Sequence, residues 1–207
     1  MTVKTFSNYY NGENTYLLID DITKNAAVID PGFNDMSIYE YIDKNNINLK
    51  YIILTHCHYD HISDLKEFKD KYGALVVCGE NCAENLKNPN VNLSEAGLGY
   101  KISENADIIL KNNELFEIDN IKLKCIYTPG HTSCSVCYLC ENRLFAGDTL
   151  FLRSVGRCDL PTGNQSELEN SLKNIVYKLG DELEVLSGHG NVTSVGYEKK
   201  FNLFIKE

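Results

Sequence analysis

The chain has 207 residues, a formal net charge of −9 and 43% hydrophobic residues, which is ordinary for a globular protein that needs no disulfides to form its core. The acidic balance argues against nucleic acid as a partner, because affinity for a phosphate backbone comes from clustered cations. The longest apolar runs are strand-sized and the first residues contain no apolar signal core, so the sequence predicts a cytoplasmic protein without a membrane segment.

The first half of the chain is predicted to combine strands with helices. Apolar runs bounded by turn residues predict four strands, over residues 14–19, 26–30, 51–55 and 74–78. Helices are predicted over residues 35–45 and from Ser63, the expected N-cap, to Gly73, the expected stop. Residues 88–106 contain glycine and proline without periodicity and are predicted to form a long loop that borders a site.

The second half is predicted to be rich in strands. Six are expected, over residues 106–110, 114–118, 121–127, 135–139, 143–146 and 184–186. An amphipathic helix is predicted to begin near Asn164, and a terminal helix to contain Tyr197, Phe201 and Phe204. Strands with helices at intervals in both halves indicate two packed sheets covered by helices on the outside.

Three of the eight cysteines, Cys134, Cys137 and Cys140, have a CxxCxxC spacing that in other contexts holds zinc or an iron–sulfur cluster. This segment is predicted to be a strand, in which residues three apart point to opposite faces. We therefore expect these thiols to diverge and to be buried as small hydrophobic groups.

All five histidines lie in short polar motifs that directly follow predicted strands. Together with two aspartates they supply seven candidate metal ligands: His56, His58, Asp60, His61, His131, Asp148 and His189. Imidazole and carboxylate suit zinc, iron or manganese. Seven donors exceed what one tetrahedral ion needs but fit two ions that share a carboxylate. A lone histidine is usually a surface or core residue, whereas this arrangement predicts a metal centre.

These motifs resemble those of the metallo-β-lactamase superfamily. The matching segments are THCHYDH at 55–61, PGHT at 129–132, GDTLF at 147–151 and GHG at 188–190, preceded by Asp30-Pro-Gly. The resemblance implies an α/β fold, a four-layer αββα sandwich, with the site along one edge of the two sheets. We expect a single domain over residues 1–207, without the C-terminal helical domain of full-length glyoxalase II.

The resemblance also implies a role for each motif residue. The first metal would be held by His56, His58 and His131, the second by Asp60, His61 and His189, with Asp148 bridging and Asp30 bracing the metal loops. Zinc is the expected ion, with iron or manganese as alternatives. Cys57 is expected to point away from the metals. The cluster continues with Ile62-Ser63-Asp64 where the family usually has a glycine-rich turn, so we expect Asp64 to alter the packing of this loop.

Residues 154–163, SVGRCDLPTG, resemble the GxGRxDxPxG stretch of glyoxalase II-like hydrolases. This implies hydrolysis of a small-molecule thioester, such as S-lactoylglutathione or a related acyl thioester, by a metal-activated hydroxide that Asp60 orients. Arg157 is expected either to bind a substrate carboxylate or to form a structural ion pair with Asp159 or with the loop of Asp148. The thiol part of the substrate is left open, and so is the oligomeric state, monomer or homodimer.

Other functions are also compatible with these motifs. Persulfide dioxygenases are similar in sequence but use one iron, held by the equivalents of His56, His131 and Asp148. A non-catalytic metal-binding module is a further alternative, although such proteins usually lack a ligand that this sequence retains. A β-lactamase is disfavoured by the predicted location and by the GxGRxD stretch.

Overall fold

Two six-stranded β-sheets pack face to face, with helices on both outer sides. This is the four-layer α/β arrangement predicted from the sequence. The protein is represented by a computed structural model, which describes residues 1–9, 11–32 and 36–206. Among these residues, no helix has the length and apolar character needed to cross a membrane.

The first sheet is formed by the N-terminal half of the chain. In spatial order its strands are β1 (Thr2–Ser7), β2 (Asn14–Ile19), β3 (Asn25–Ile29), β4 (Asn48–Leu54), β5 (Leu75–Gly79) and β6 (Ile108–Leu110). Strands β1 to β3 pair antiparallel, and β3 to β6 pair parallel. The sequence did not predict β1, because this half-exposed edge strand has no continuous apolar face.

Five helices accompany this sheet: α1 (Met36–Lys44), α2 (Tyr59–Ile62), α3 (Leu65–Tyr72), α4 (Glu80–Asn85) and α5 (Ser94–Leu98). The predicted start of α1 at residue 35 lies outside the described residues. The assignment of Ser63 as an N-cap was wrong, since Asp64 occupies that position and Ser63 closes α2. Gly73 ends α3 as predicted, with a φ of 67° and its N–H donating to the Lys69 carbonyl.

The segment predicted to be one long loop, residues 88–106, contains α5. Gly97 of α5 packs on the ring of Tyr59, where an added Cβ would lie 2.6 Å from the nearest ring carbon. Buried Asn92 shapes the segment by donating hydrogen bonds to the carbonyls of Leu86 and Ile102. The segment therefore packs against α2 and fixes its position.

The second half of the chain forms the other sheet. Its elements are β7 (Leu115–Ile118), β8 (Ile121–Tyr127), β9 (Val136–Cys140), β10 (Arg143–Gly147), β11 (Leu150–Phe151), β12 (Ser154–Val155), α6 (Gln165–Asn170), β13 (Glu184–Ser187), β14 (Thr193–Ser194) and α7 (Val195–Phe201). The spatial order is β14-β13-β10-β9-β8-β7, and β11 and β12 form a separate hairpin. Only the β10–β13 pair in this sheet is parallel, over the described residues.

The helix predicted near Asn164 is present, and Asn164 is its N-cap. The Asn164 side chain accepts hydrogen bonds from two backbone N–H groups of the first turn. The helix continues as a π-helical turn over Ser171–Ile175 and a 3-10 turn over Val176–Lys178. The terminal helix is shorter than predicted, because it ends at Phe201 and leaves Phe204 exposed beyond it.

Alternation along the strands divides the apolar side chains among three cores. Leu18 and Phe145 lie in the core between the sheets, Leu17 lies in the core beneath α1 and α3, and Leu144 lies in the core beneath α6. Alternation along β9 also separates the thiols of Cys137 and Cys140, while Cys134 lies in the loop before that strand. Cys134 lies with the helices of the first half, Cys137 beneath α6 and Cys140 between the sheets, which confirms that they do not converge.

Asp64 ties α3 to the chain that follows β3. Its backbone N–H donates to the Pro31 carbonyl at 3.2 Å, and its buried carboxylate accepts a hydrogen bond from the Tyr39 hydroxyl at 2.5 Å. Burial raises the pKa of Asp64 to about 6, against the opposing effect of the Tyr39 hydrogen bond. Asp64, which stands where the family usually has a glycine-rich turn, thus changes the packing of this loop through its contacts with Tyr39 and Pro31, as expected.

We predict that Asp64→Asn removes a pH-dependent loss of stability. Between about pH 4 and pH 6 the folded wild type keeps a proton that the unfolded chain releases, so its free energy of unfolding falls by up to about 3 kcal/mol as the pH rises. Asparagine still accepts from Tyr39 but does not titrate. Denaturant midpoints measured across this range should fall for the wild type as the pH rises to about 6, relative to those of the variant. A constant difference contradicts the prediction.

Candidate metal centre

The seven predicted ligand side chains follow the carboxyl ends of strands from both sheets. His56 and His58 follow β4, Asp60 and His61 lie in α2, and His131, Asp148 and His189 follow β8, β10 and β13. Since both sheets present these strand ends at the same edge, the structure brings all seven side chains into one centre.

The first group of the centre consists of His56, His58 and His131. Their ligand atoms all lie within 4.8 Å of one another. His58 Nδ1 is 2.9 Å from His131 Nε2, and all three side chains are buried. Three imidazoles this close can hold one divalent ion.

The second group consists of Asp60, His61 and His189, whose ligand atoms also lie within 4.8 Å of one another. His189 Nε2 is 3.3 Å from Asp60 Oδ2 and 3.3 Å from His61 Nε2. The side chains of Asp60 and His189 are 20% and 24% exposed, so this group borders solvent.

Asp148 lies between the two groups. Its Oδ2 is 3.5 Å from His131 Nε2 in the first group and 3.7 Å from His189 Nε2 in the second. Its Oδ1 is 3.3 Å from His61 Nε2 but makes no aligned hydrogen bond. The Asp148 carboxylate thus lies within reach of both groups. A ligand shared by two ions would occupy this position.

Buried ligand atoms without hydrogen bonds show that the donor set fits metal. Among the described residues, His56 Nε2, His58 Nε2 and Asp148 Oδ1 are buried and have no hydrogen-bond partner. Each such atom costs about 1–3 kcal/mol in a folded protein. Coordination to a cation offsets this cost, and nitrogen with carboxylate oxygen is a ligand set for zinc, iron or manganese.

Asp30 contacts both ends of the segment after β4 that carries the candidate ligands of the first sheet. Its Oδ1 accepts the Thr55 backbone N–H at 2.7 Å, and its Oδ2 accepts the Thr55 hydroxyl at 2.5 Å and faces His61 Nδ1 at 3.1 Å. Asp30 has a φ of 49°, in the left-handed region that aspartate tolerates better than most residues. The carboxylate therefore fixes the orientation of the His61 ring.

Backbone carbonyls orient two further imidazoles. His131 Nδ1 donates to the Arg157 carbonyl at 2.7 Å, and His189 Nδ1 lies 3.2 Å from the Asn11 carbonyl. In each ring the remaining nitrogen, Nε2, faces the centre. Sequence reasoning missed both partners, because a backbone carbonyl belongs to every residue type and produces no motif.

Glu13 is a second feature that sequence reasoning missed. Its side chain is buried behind the centre, where Thr15 Oγ1 donates to Oε1 at 3.3 Å. Burial raises the pKa of Glu13 well above its usual range. Gly32 allows the close approach, since an added Cβ would lie 2.2 Å from Glu13 Oε2 and 2.3 Å from the Asp60 carbonyl oxygen.

The two groups differ in their electrostatics. Burial lowers the pKa of His58 to about 4, with the neighbouring His131 imidazole acting in the same direction, and burial also lowers the pKa of His56. Burial acts to lower the pKa of His61 as well, but Asp148 and Asp60 outweigh it and raise that pKa well above its ordinary value. His56 and His58 of the first group are thus neutral imidazoles, whereas the second group pairs imidazole with carboxylate.

The Arg157 side chain pairs with Asp159. Its Nε and Nη2 atoms donate to the two carboxylate oxygens of Asp159, each at 2.6 Å, and the Arg157 side chain is 63% exposed. Of the two roles expected for Arg157, the structure contains the ion pair. Its backbone carbonyl, rather than its side chain, contacts the centre.

We predict that Asp30→Asn lowers metal affinity by about 10- to 100-fold, because an amide removes the charge that holds His61 and Thr55. Competition titration with a chromophoric chelator measures this. Asp20→Asn is the matched control, since Asp20 is equally buried but receives its hydrogen bonds from a turn and from Asn120. Equal affinities in the two variants would contradict the bracing role of Asp30.

Comparison with known proteins agrees with this architecture. The profile of the metallo-beta-lactamase superfamily matches residues 10–190. The chain is 31% identical over 201 residues to the hydroxyacylglutathione hydrolase GloC of Haemophilus influenzae, covering 93% of this chain and 92% of that protein.

Two solved structures are similar throughout. The BLEG-1 B3 metallo-beta-lactamase has a TM-score of 0.92 and 31% identity, with complete coverage of both chains. ETHE1 from Myxococcus xanthus has a TM-score of 0.84 and 27% identity, covering 98% of this chain and 84% of that one. With its two packed sheets and a centre built at their common edge, this chain belongs to the metallo-β-lactamase superfamily.

Proposed function

We propose that this metal-dependent hydrolase cleaves acyl thioesters of the glyoxalase II type, with S-lactoylglutathione as the reference substrate. The observation that carries the proposal is the pair of three-donor groups with Asp148 between them. The 31% identity to hydroxyacylglutathione hydrolase GloC over nearly the whole of both chains supports the substrate class.

In this proposal the first group holds one ion, the second group holds the other, and Asp148 is shared. Zinc fits best, because three histidines, or two histidines with a carboxylate, are typical sets for catalytic zinc with an open position. Bound ions would lower the pKa of a bound water to about 7 and would supply a Lewis acid for the carbonyl oxygen.

The protein's own groups orient this chemistry. Asp60 lies at the exposed side of the centre, where its carboxylate would accept a hydrogen bond from the attacking water. Asp30 and the Arg157 carbonyl keep the rings of His61 and His131 fixed, so little reorganisation is needed. Addition of water to the carbonyl carbon and cleavage of the carbon–sulfur bond yield a carboxylic acid and a thiol. No serine or cysteine nucleophile is required.

Arg157 is the proposed contact for a carboxylate of the substrate. Its exposed guanidinium is already satisfied by Asp159, an acceptor with the same planar geometry as a substrate carboxylate. A substrate that carries a carboxylate would therefore compete with Asp159 for the guanidinium. This competition affects substrate binding only if the thiol part of the substrate carries a carboxylate, as glutathione does.

Two similarities make other reactions worth testing at the same centre. The likeness to ETHE1, with a TM-score of 0.84, favours the mononuclear-iron persulfide dioxygenase as the second candidate. The likeness to the BLEG-1 B3 metallo-beta-lactamase adds a β-lactam to the substrate panel. Dioxygenation consumes oxygen and hydrolysis does not, so oxygen uptake separates the two classes.

We predict that the purified protein, assayed with its metal content determined, hydrolyses S-lactoylglutathione with about two zinc ions per chain. His58→Ala should lower kcat/KM on the order of 10³-fold, which corresponds to about 4 kcal/mol of lost transition-state stabilisation. Asp20→Asn, far from the centre, should retain full activity. About one iron per chain with oxygen uptake on glutathione persulfide and no thioester turnover would replace this proposal with the dioxygenase. A β-lactam as the best substrate would overturn the thioester assignment.

We predict opposite effects for the two members of the exposed ion pair. Arg157→Ala should raise KM for a carboxylate-bearing thioester by about 2- to 5-fold, whereas Asp159→Asn should lower it, because the guanidinium is then free. Neither change should affect a thioester without a carboxylate. If both variants shift KM in the same direction, the pair is structural and Arg157 does not bind substrate.

A further inference from the structure

A second cluster of metal-binding atoms lies within the core beneath the helices of the first half. The thiols of Cys57, Cys82 and Cys134 all lie within 4.8 Å of one another, and the Cys57 and Cys134 sulfurs are 3.7 Å apart. All three residues are buried. They come from three different elements: the loop after β4, helix α4 and the loop before β9.

The spacing of the sulfurs fits an ion better than a disulfide. Three thiolates around one ion at about 2.3 Å stand roughly 3.8–4.0 Å apart. A disulfide requires about 2.05 Å, so the Cys57 and Cys134 sulfurs would have to approach each other considerably. All eight cysteines are free in the structure. An ion could therefore enter this cluster with small side-chain adjustments.

We propose that Cys57, Cys82 and Cys134 form a second metal site, a trithiolate site for one thiophilic divalent ion such as Zn²⁺, separate from the histidine–aspartate centre. Thiolate ligands select soft or borderline ions over the hard cations that carboxylates prefer. Binding replaces three thiol protons, which leave to solvent, and the two charges of the ion offset two of the three thiolates. The Thr132 hydroxyl, 3.3 Å from the Cys134 sulfur, is placed to donate to the remaining negative charge.

The location of this site gives it a structural consequence. Cys57 stands between His56 and His58, and Cys134 lies in the loop that carries His131. A bound ion would cross-link the two loops that supply the first group of the histidine–aspartate centre and anchor both to α4. This inference does not depend on the reaction that the centre catalyses.

Cadmium is a suitable probe, because sulfur coordination produces an ultraviolet charge-transfer band that nitrogen and oxygen ligands do not produce. We expect the reduced wild-type chain to develop this band and to saturate at one sulfur-bound cadmium per chain. Cys82→Ser should abolish the band, since it removes a ligand while leaving both histidine-bearing loops unchanged. Cys140→Ser is the matched control, equally buried but between the two sheets, and should keep the band.

The proposal is overturned if the wild type gives no such band while the histidine–aspartate centre binds cadmium. It is also overturned if Cys82→Ser keeps the band, which would indicate adventitious thiol binding elsewhere, as at the partly exposed Cys158. Cadmium NMR of the wild type needs no variant and decides the question if Cys82→Ser does not fold. A signal in the sulfur-coordinated range, beside those of the nitrogen and oxygen sites, supports the proposal, and its absence refutes it.

Discussion

The hydrogen bonds of the Asp30 carboxylate connect the fold to the metal centre. This carboxylate lies at the end of β3 and accepts from both the backbone and the hydroxyl of Thr55 at the end of β4, while its second oxygen also faces His61. A parallel pair of strands is thereby linked at the point where its two loops diverge. The candidate ligands of the first sheet all lie within residues 56–61, just after Thr55, so their placement depends on this one buried carboxylate.

The centre contains buried polar atoms that lower the stability of the fold when no cation is bound. Two imidazole nitrogens and a carboxylate oxygen are buried without hydrogen bonds among the described residues, and five imidazoles approach each other closely. The three apolar cores of the fold stabilise the protein enough to offset the free-energy cost of these unpaired polar atoms. Asp30 and the carbonyls of Asn11 and Arg157 hold the rings of His61, His189 and His131 in place. The same rigidity keeps the donors ready for cations.

Elements specified by a local sequence signal were predicted, whereas elements that depend on contacts with distant residues were not. Strands such as β2 and the capped helix at Asn164 were predicted because their apolar pattern or cap is local. Strand β1 and helix α5 were missed, since one is a half-exposed edge and the other is stabilised by packing on Tyr59. Ser63 was misassigned as the N-cap because α3 begins one residue later, after Asp64, whose side chain accepts from the distant Tyr39 instead of capping the helix. Glu13 belongs to no motif, and only tertiary packing places it behind Asp60.

The sequence by itself determined the donor types, their order along the chain and their positions after strands, and these sufficed to predict the layered fold and the seven candidate ligands. The family resemblance also implied how these donors divide into two groups around Asp148. Only the tertiary structure decided which carbonyls orient the rings and that Arg157 pairs with Asp159. It also brought the thiol of Cys134 close to those of Cys57 and Cys82, which are distant in sequence. The physical reason is that periodicity specifies which face a side chain occupies, whereas the partner it meets there depends on how the sheets and helices pack.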